Sequence, residues 1–257
     1  MQAVFSAVKY GVGVDMGKDK FYASLSAIDQ GGRIKIKATH SFANTAKGIT
    51  EFHRWVDHHA KEKRLPLYYL MEATGVYYEP LALSLHQRGA HVCVVLPQKA
   101  KHYLKALGLK TKTDGVDAQG LATMACQQWL EAWQPLSEAM YKLRQLTRQQ
   151  IHLQEVKTQM GNQLMNLELS IYTSPEVKKQ LTKLIHELEK QITECEKLIA
   201  KAVNDNPEWK RKVEQICAIK GVGLLTVANL ITETNEFTLF ENQPQRRTVP
   251  VGQLRGV

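Results

Sequence analysis

Short apolar runs separated by turn residues dominate the first half of the chain. Residues 11–14 are small and apolar and end at Asp15, which is typical of a buried strand. Residues 21–28 and 33–42 alternate apolar and polar positions, and the glycine pair at 31–32 predicts a hairpin turn between them. The pattern therefore predicts three consecutive strands, the third of them half exposed.

Helices and strands then alternate up to about residue 130. Asn44 or Thr45 caps the first predicted helix. Residues 67–71 and 92–96 suit buried strands, and Pro80 fits the first turn of a helix between them. The apolar stripe of the first helix consists of Ile49, Phe52 and Val56. This order predicts an α/β layer structure.

The second half of the chain has a helical period. Two apolar runs with a spacing of three and four residues flank a turn at 173–175, which fits a long antiparallel coiled-coil hairpin. An ordinary helical pair in a larger bundle is the alternative, and a dimer interface is equally compatible. The first run is Leu143, Leu146, Leu153, Met160, Leu164, Leu167 and Ile171, and the second is Val177, Leu181, Leu184, Leu188, Ile192, Cys195 and Ile199.

Composition narrows the class of protein. Of the 257 residues, 44% are hydrophobic, which is enough for a core, and 34 Lys and Arg against 25 Asp and Glu give a net charge of +9. The charge indicates either a solvated basic surface or a polyanionic partner. The four cysteines lack the spacing of a zinc site or redox pair, and no apolar run approaches the roughly 20 residues of a membrane span. We therefore expect a soluble, intracellular protein with reduced thiols.

Four acids stand out by position. Asp15 and Glu72 each end an apolar strand, while Asp114 and Asp117 share one face at the start of a predicted helix. Taken one at a time, Asp15 can cap a turn and Asp114 can cap a helix. A charged side chain at the position of Glu72 is costly unless it is paired or metal-bound. Together they form a set of hard oxygen ligands suited to Mg²⁺ or Mn²⁺, and two such ions support phosphodiester displacement.

A basic segment precedes the last two acids. No acidic residue occurs between Glu79 and Asp114. The basic residues of that interval are Arg88, Lys99, Lys101, Lys105, Lys110 and Lys112, interleaved with His102 and Tyr103. Such a segment suits phosphate binding beside a metal site, and a solvated amphipathic helix is the alternative.

Four segments of the sequence resemble a known family. They are residues 13–18, 44–48, 72–77 and 109–118. Their order and spacing are similar to those of the bridge-RNA-guided insertion-sequence transposases, with the Piv-type DNA invertases as relatives. The likeness extends to about residue 241.

This resemblance implies a fold and a function. It implies a RuvC-like, ribonuclease-H-type domain over residues 1–130, with a mixed sheet, flanking helices and a metal-binding set corresponding to Asp15, Glu72, Asp114 and Asp117. It further implies dimerisation helices over 131–204 and the start of a C-terminal transposase domain over 205–241. The implied partners are DNA, a structured guide RNA and further copies of the chain, in the bacterial cytoplasm at the nucleoid, with Lys18 and the basic segment contacting nucleic acid.

A glycine-rich segment at 216–223 is followed by an apolar helix. We expect a helix-hairpin-helix element in which Lys220, Gly221 and Gly223 approach a phosphate through charge and backbone N–H groups. A plain glycine turn between two helices is an equal alternative.

The end of the chain departs from the family pattern. No serine follows Ser174, and residues 242–257 do not resemble the family's continuation, which carries a nucleophilic serine. We expect an atypical, disordered tail, a C-terminally truncated protein, no covalent protein–DNA adduct and incomplete recombination.

Two rival functions fit parts of the sequence. Residues 15–20 resemble the first phosphate loop of an actin-like ATPase, but neither a second loop nor an adenosine site is found. A non-catalytic remnant that binds RNA or DNA, or that forms inactive dimers with a full-length relative, is the stronger rival.

Overall fold

The computed structural model describes residues 5–108 and 113–237. The chain divides into two compact units, Met1–Pro135 and Leu136–Val257. The first contains β1 (Ala7–Met16), β2 (Lys20–Asp29), β3 (Ile34–Ala43), α1 (Ala46–His59), β4 (Leu67–Glu72), α2 (Glu79–Gln87), β5 (His91–Val95), α3 (Pro97–Ala106) and α4 (Asp114–Gln127). The second contains α5 (Glu138–Glu168), α6 (Pro175–Asn204), α7 (Pro207–Cys217) and α8 (Leu224–Glu233).

The first unit is built on a five-stranded mixed sheet in the order β3-β2-β1-β4-β5. β1, β2 and β3 pair antiparallel, whereas β4 and β5 are parallel to β1. The hairpin between β2 and β3 turns at Gly32, whose φ of 77° lies in the left-handed region that favours glycine. The expectation of an α/β fold with a mixed sheet and flanking helices is confirmed.

The two faces of the sheet carry different side chains. One face presents large apolar groups, among them Val12 and Val14 of β1, which share a core with Phe52 of α1. The opposite face presents Gly11 and Gly13 of β1, against which α4 packs. A Cβ atom at Gly13 would lie 2.1 Å from the backbone nitrogen of Ala122, so only glycine permits this approach.

Threonine side chains cap two of the helices in this unit. The Oγ1 atom of Thr45 accepts a hydrogen bond from the N–H of Gly48 at the start of α1 (3.2 Å). At the start of α4, Oγ1 of Thr113 accepts from the N–H of Val116 (3.4 Å). The cap of α4 is therefore Thr113, and the interpretation of Asp114 as the cap is wrong, since Asp114 opens the first turn.

The second unit contains the two long helices. α5 and α6 run antiparallel, because Lys157 pairs with Glu189 (3.2 Å) while Lys178, at the start of α6, pairs with Glu168 at the end of α5 (2.7 Å). Their other ends join α7 and α8 in a core that consists of Met140, Leu143, Ile199, Val203, Trp209, Val213, Val227, Ala228 and Ile231. The antiparallel pair agrees with the helical period, whereas coiled-coil dimerisation stays a prediction.

A short connection at 218–223 joins α7 and α8. Gly221 has a φ of 91°, and Gly223 stands at the cap position of α8. A glycine turn thus joins the two helices, and both the helix-hairpin-helix interpretation and phosphate binding by it stay predictions. In the part of the chain that the structure describes, no helix is long and apolar enough to cross a membrane. The predicted tail at 242–257 lies outside the described residues.

Candidate functional site

Two of the predicted acids lie side by side at one edge of the sheet, which we call the acid edge. The parallel pairing of β1 and β4 ends at Val14 and Met71, so the next two residues, Asp15 and Glu72, continue it. Adjacent strands are about 4.8 Å apart, and paired residues point to the same face. Asp15 and Glu72 are both half-buried there.

The start of α4 lies over the same edge. A Cβ atom added at Gly11 or at Gly13 would meet Ala122, and one at Gly13 would also meet Ala118, so α4 runs back along β1. Two strand residues span about 6.7 Å and four helix residues about 6 Å, which brings the first turn of α4 opposite Asp15. Accordingly, a cavity of about 340 Å³ is lined by Asp15, Met16, Gly17, Lys18, Asp19, Lys20, Tyr22 and Asp114.

A lysine and a tyrosine belong to this cavity and were missed from the sequence. The ammonium of Lys20 donates a hydrogen bond to the hydroxyl of Tyr22 (2.9 Å). That hydrogen bond raises the pKa of Lys20, and the charges of Tyr22 and Asp114 act in the same direction. Tyr22 pairs with Asp15 across β1 and β2. Residues 20 and 22 are two apart on one strand, so their side chains share a face, and this spacing was the signal that the sequence offered. The positively charged Lys20 ammonium therefore belongs to the same cavity as Asp15 and Asp114.

Hydrogen bonds also fix the loops around the acid edge. The hydroxyl of Thr74 donates to Oε1 of Glu72 (2.8 Å), which restrains that carboxylate. The side-chain amide of Asn44 donates to the carbonyl oxygens of Gly17 (3.0 Å) and Tyr77 (3.1 Å). Asn44 therefore ties the β1–β2 turn to the loop after β4. The sequence identified Asn44 only as a possible cap and as part of a family segment.

The four acids are not assembled into one cluster. Glu72 and Asp117 do not line the cavity that holds Asp15 and Asp114. Within residues 5–108 and 113–237, no three His, Cys, Asp or Glu side chains are grouped as metal ligands would be. The donor chemistry suits Mg²⁺ or Mn²⁺, since all four are carboxylates, but the described arrangement brings together only two pairs, Asp15 with Glu72 and Asp15 with Asp114.

The predicted nucleic-acid-binding residues lie in both units. Lys18 is exposed and lines the cavity at the acid edge. On α3, the side chains of Lys99, Lys101 and Lys105 are exposed. In the second unit, Lys220 and Gly221 are exposed in the α7–α8 connection, and so is Gly223. Lys110 and Lys112 lie outside the described residues.

Sequence comparison identifies a matching family and two relatives. A transposase family model, DEDD_Tnp_IS110, matches residues 12–172. The pilin gene-inverting protein of Moraxella bovis is 27% identical over 237 residues, which are 90% of this chain and 68% of that protein. The pilin gene-inverting protein of Moraxella lacunata has the same identity and coverage.

Two solved structures resemble part of the chain. The structure of RuvC from Thermus thermophilus is 15% identical and has a TM-score of 0.36, with 48% of this chain and 99% of that chain covered. The complex of the same RuvC with a Holliday junction substrate is 13% identical, with the same TM-score and coverage.

Proposed function

Since the chain belongs to the DEDD_Tnp_IS110 family of transposases, we propose that its first unit breaks DNA phosphodiester bonds at the acid edge during recombination. The residues that carry this chemistry are Asp15, Glu72, Asp114 and Asp117. The family match spans well over half of the chain and includes all four positions.

One observation carries the proposal most directly. Asp15 and Glu72 end neighbouring parallel strands, while Asp114 opens the helix that lies over the same edge and lines one cavity with Asp15. Three elements distant in sequence therefore bring carboxylates to the same end of the sheet, in pairs that share Asp15.

Divalent metal completes the proposed site. Mg²⁺ or Mn²⁺ would be held by Asp15 and Glu72, with Asp114 and Asp117 as further ligands, and it would supply Lewis-acid stabilisation of charge on the phosphate oxygens. The chain itself contributes a second positive group. The ammonium of Lys20, oriented by Tyr22, would contact a phosphate oxygen beside Asp15, and Thr74 keeps the Glu72 carboxylate in place.

RNA guidance and self-association belong to the same proposal. A structured guide RNA would contact the exposed lysines of α3, which carry three positive charges on one ten-residue helix (Lys99, Lys101 and Lys105). A second copy of the chain would pack along α5 and α6. Exposed apolar side chains on these helices support that contact, among them Met165 and Leu184, which are 53% and 45% exposed.

Thermal unfolding with and without Mn²⁺ tests the site. A ligand that binds only the folded protein raises its unfolding midpoint, so Mn²⁺ should stabilise the wild type and should not stabilise Asp15→Asn or Glu72→Gln. The matched control is Glu51→Gln, which removes the same charge from an exposed position on α1 and should respond like the wild type. Equal stabilisation of all four proteins would contradict the assignment.

The second candidate is a nucleic-acid-binding protein without catalysis. It is favoured by the lack of a three-ligand group in the described part of the chain. Nuclease assays on branched and duplex DNA in Mn²⁺ separate the two functions. Cleavage that disappears in Asp15→Asn supports the enzyme, whereas binding without cleavage, unchanged in Asp15→Asn, supports the binding protein.

A further inference from the structure

An exposed tryptophan stands at the end of the sheet opposite the acid edge. Trp129 follows the C-terminal end of α4 and is 87% exposed, whereas Trp209 is 2% exposed and Trp55 and Trp133 pack against the core of the first unit. Tryptophan has the largest apolar surface of any side chain, so leaving it in water forgoes substantial hydrophobic stabilisation. A ligand that covers the ring would recover that stabilisation.

The backbone on both sides of Trp129 is held in place. The ammonium of Lys9 donates to the carbonyl oxygen of Gln128 (3.4 Å), and Nε2 of His91 donates to the carbonyl oxygen of Leu130 (3.2 Å). Leu130 is itself buried in the core beneath α4. Trp129 is therefore presented from a fixed segment, which lowers the entropy lost when a ligand binds it.

An aromatic and basic group of side chains centred on Tyr68 lies beside the tryptophan. The ring centroid of Tyr68 lies 6.1 Å from that of Trp129 and 4.2 Å from that of His91, and Lys9 Nζ lies 4.0 Å from the Tyr68 centroid. We call Lys9, Tyr68, His91 and Trp129 the aromatic platform. Lys9 supplies the positive charge of the platform, since its ammonium lies over the Tyr68 ring.

The platform and the acid edge lie on one face of the sheet. Tyr68, Leu70 and Glu72 alternate along β4 and so point the same way, and Leu70 packs in the core beneath α4. Four strand residues separate Tyr68 from Glu72, or about 13 Å. A nucleic-acid strand at the acid edge is therefore within a few nucleotides of Trp129.

We propose that the aromatic platform stacks an unpaired base of single-stranded DNA. A ring face beside positive charge suits a nucleobase joined to phosphate, because every base offers a π surface and each phosphate a negative charge. Bases within a duplex are already stacked on each other and cannot cover the ring. We propose DNA rather than RNA as the ligand because the chain belongs to a transposase family.

Fluorescence titration of the full chain in EDTA tests this inference apart from the metal site. The probes are a deoxythymidine oligonucleotide of about 12 nucleotides, its RNA counterpart and a duplex of equal length. Single-stranded DNA should quench wild-type tryptophan emission, and this quenching should vanish in Trp129→Phe. By anisotropy with labelled DNA, Trp129→Ala should bind about 5- to 150-fold more weakly, while Trp129→Phe should keep most of the affinity.

One further variant serves as a control. Tyr172→Ala removes an aromatic side chain that is 92% exposed in the second unit and should bind single-stranded DNA like the wild type. Because the titration is run in EDTA, failure of the metal site leaves this inference intact. The inference is overturned if Trp129→Ala binds single-stranded DNA like the wild type, if it loses only RNA binding, or if it loses duplex binding equally.

Discussion

Replacing Gly13 by alanine should damage the fold and the acid edge together. The added Cβ atom would lie 2.1 Å from the nitrogen of Ala122 and 2.3 Å from the carbonyl oxygen of Ala118. Both are backbone atoms of α4, so no side-chain rotation relieves the overlap. An ordinary contact needs at least 3.4 Å, and α4 must therefore move away from β1 by more than 1 Å.

The cost follows from packing. Forcing extra volume into a close-packed region destabilises proteins by about 1–3 kcal/mol. The movement also acts on the site, because Asp114 opens the same helix and shares a cavity with Asp15. We therefore expect Gly13→Ala to lower the free energy of unfolding by about 1–3 kcal/mol and to weaken stabilisation by Mn²⁺.

Urea unfolding followed by circular dichroism measures the first effect, and the Mn²⁺-dependent shift of the thermal midpoint measures the second. Gly115→Ala is the matched control in α4 itself, since its Cβ would meet only Cγ2 of Thr39 at 4.0 Å. Alanine is favoured over glycine in a helix by up to about 1 kcal/mol, so this variant should be as stable as the wild type or more so. A Gly13→Ala protein with unchanged stability and Mn²⁺ response would refute the packing argument.

Two other predictions concern titratable groups. Burial raises the pKa of Cys93 and of Cys126 to about 11, so at pH 7 only about one of these thiols in ten thousand is ionised. Iodoacetamide labelling followed by mass spectrometry should therefore modify Cys217 before either of them. Equal labelling of Cys93, Cys126 and Cys217 would contradict this. The hydrogen bond from Arg148 lowers the pKa of Glu233, so the stabilisation is present above the ordinary value of 4.5 and is lost as the pH falls below it. Because the pair is largely exposed, Glu233→Gln should cost less than about 1 kcal/mol in urea unfolding at pH 7, and the difference from the wild type should shrink as the pH falls below 4.5. A difference that does not change with falling pH would exclude the ion pair as its cause.

Local patterns in the sequence predicted most of the elements of the first unit. Apolar runs and alternation marked all five strands, because β1, β2, β4 and β5 are largely buried and β3 alternates polar and apolar residues although only Phe42 of it is buried. Thr45 was recognised as a possible cap because its side chain satisfies a helix N–H within three residues. Asp15 and Glu72 were recognised because each ends an apolar strand, and Asp114 and Asp117 because they share one face at the start of a predicted helix.

Contacts between distant residues could not be predicted in this way. The place of Lys20 in the cavity depends on the register of β1 against β2 and on the approach of Asp114. Likewise, Tyr68 and Trp129 are neighbours only because β4 and the end of α4 reach the same end of the sheet. Alternation places Lys20 and Tyr22 on one face of β2, but it does not show which acids they approach. Nothing in the local sequence indicates the contact between Tyr68 and Trp129.

The closest link between fold and site lies in the alternation of β1. Gly11, Gly13 and Asp15 point to one face, and Ser24 and Ser26 of β2 lie beside the two glycines on that face. These small residues leave room for α4 to lie directly on the sheet, and the helix then reaches Asp15 with its first turn. Gly13 and Asp15 are two residues apart and so share a face of β1: the glycine admits α4, and the aspartate lies opposite the first turn of that helix. It follows that any change that lifts α4 from β1 must also alter the distance between the acids, even when no acid is mutated.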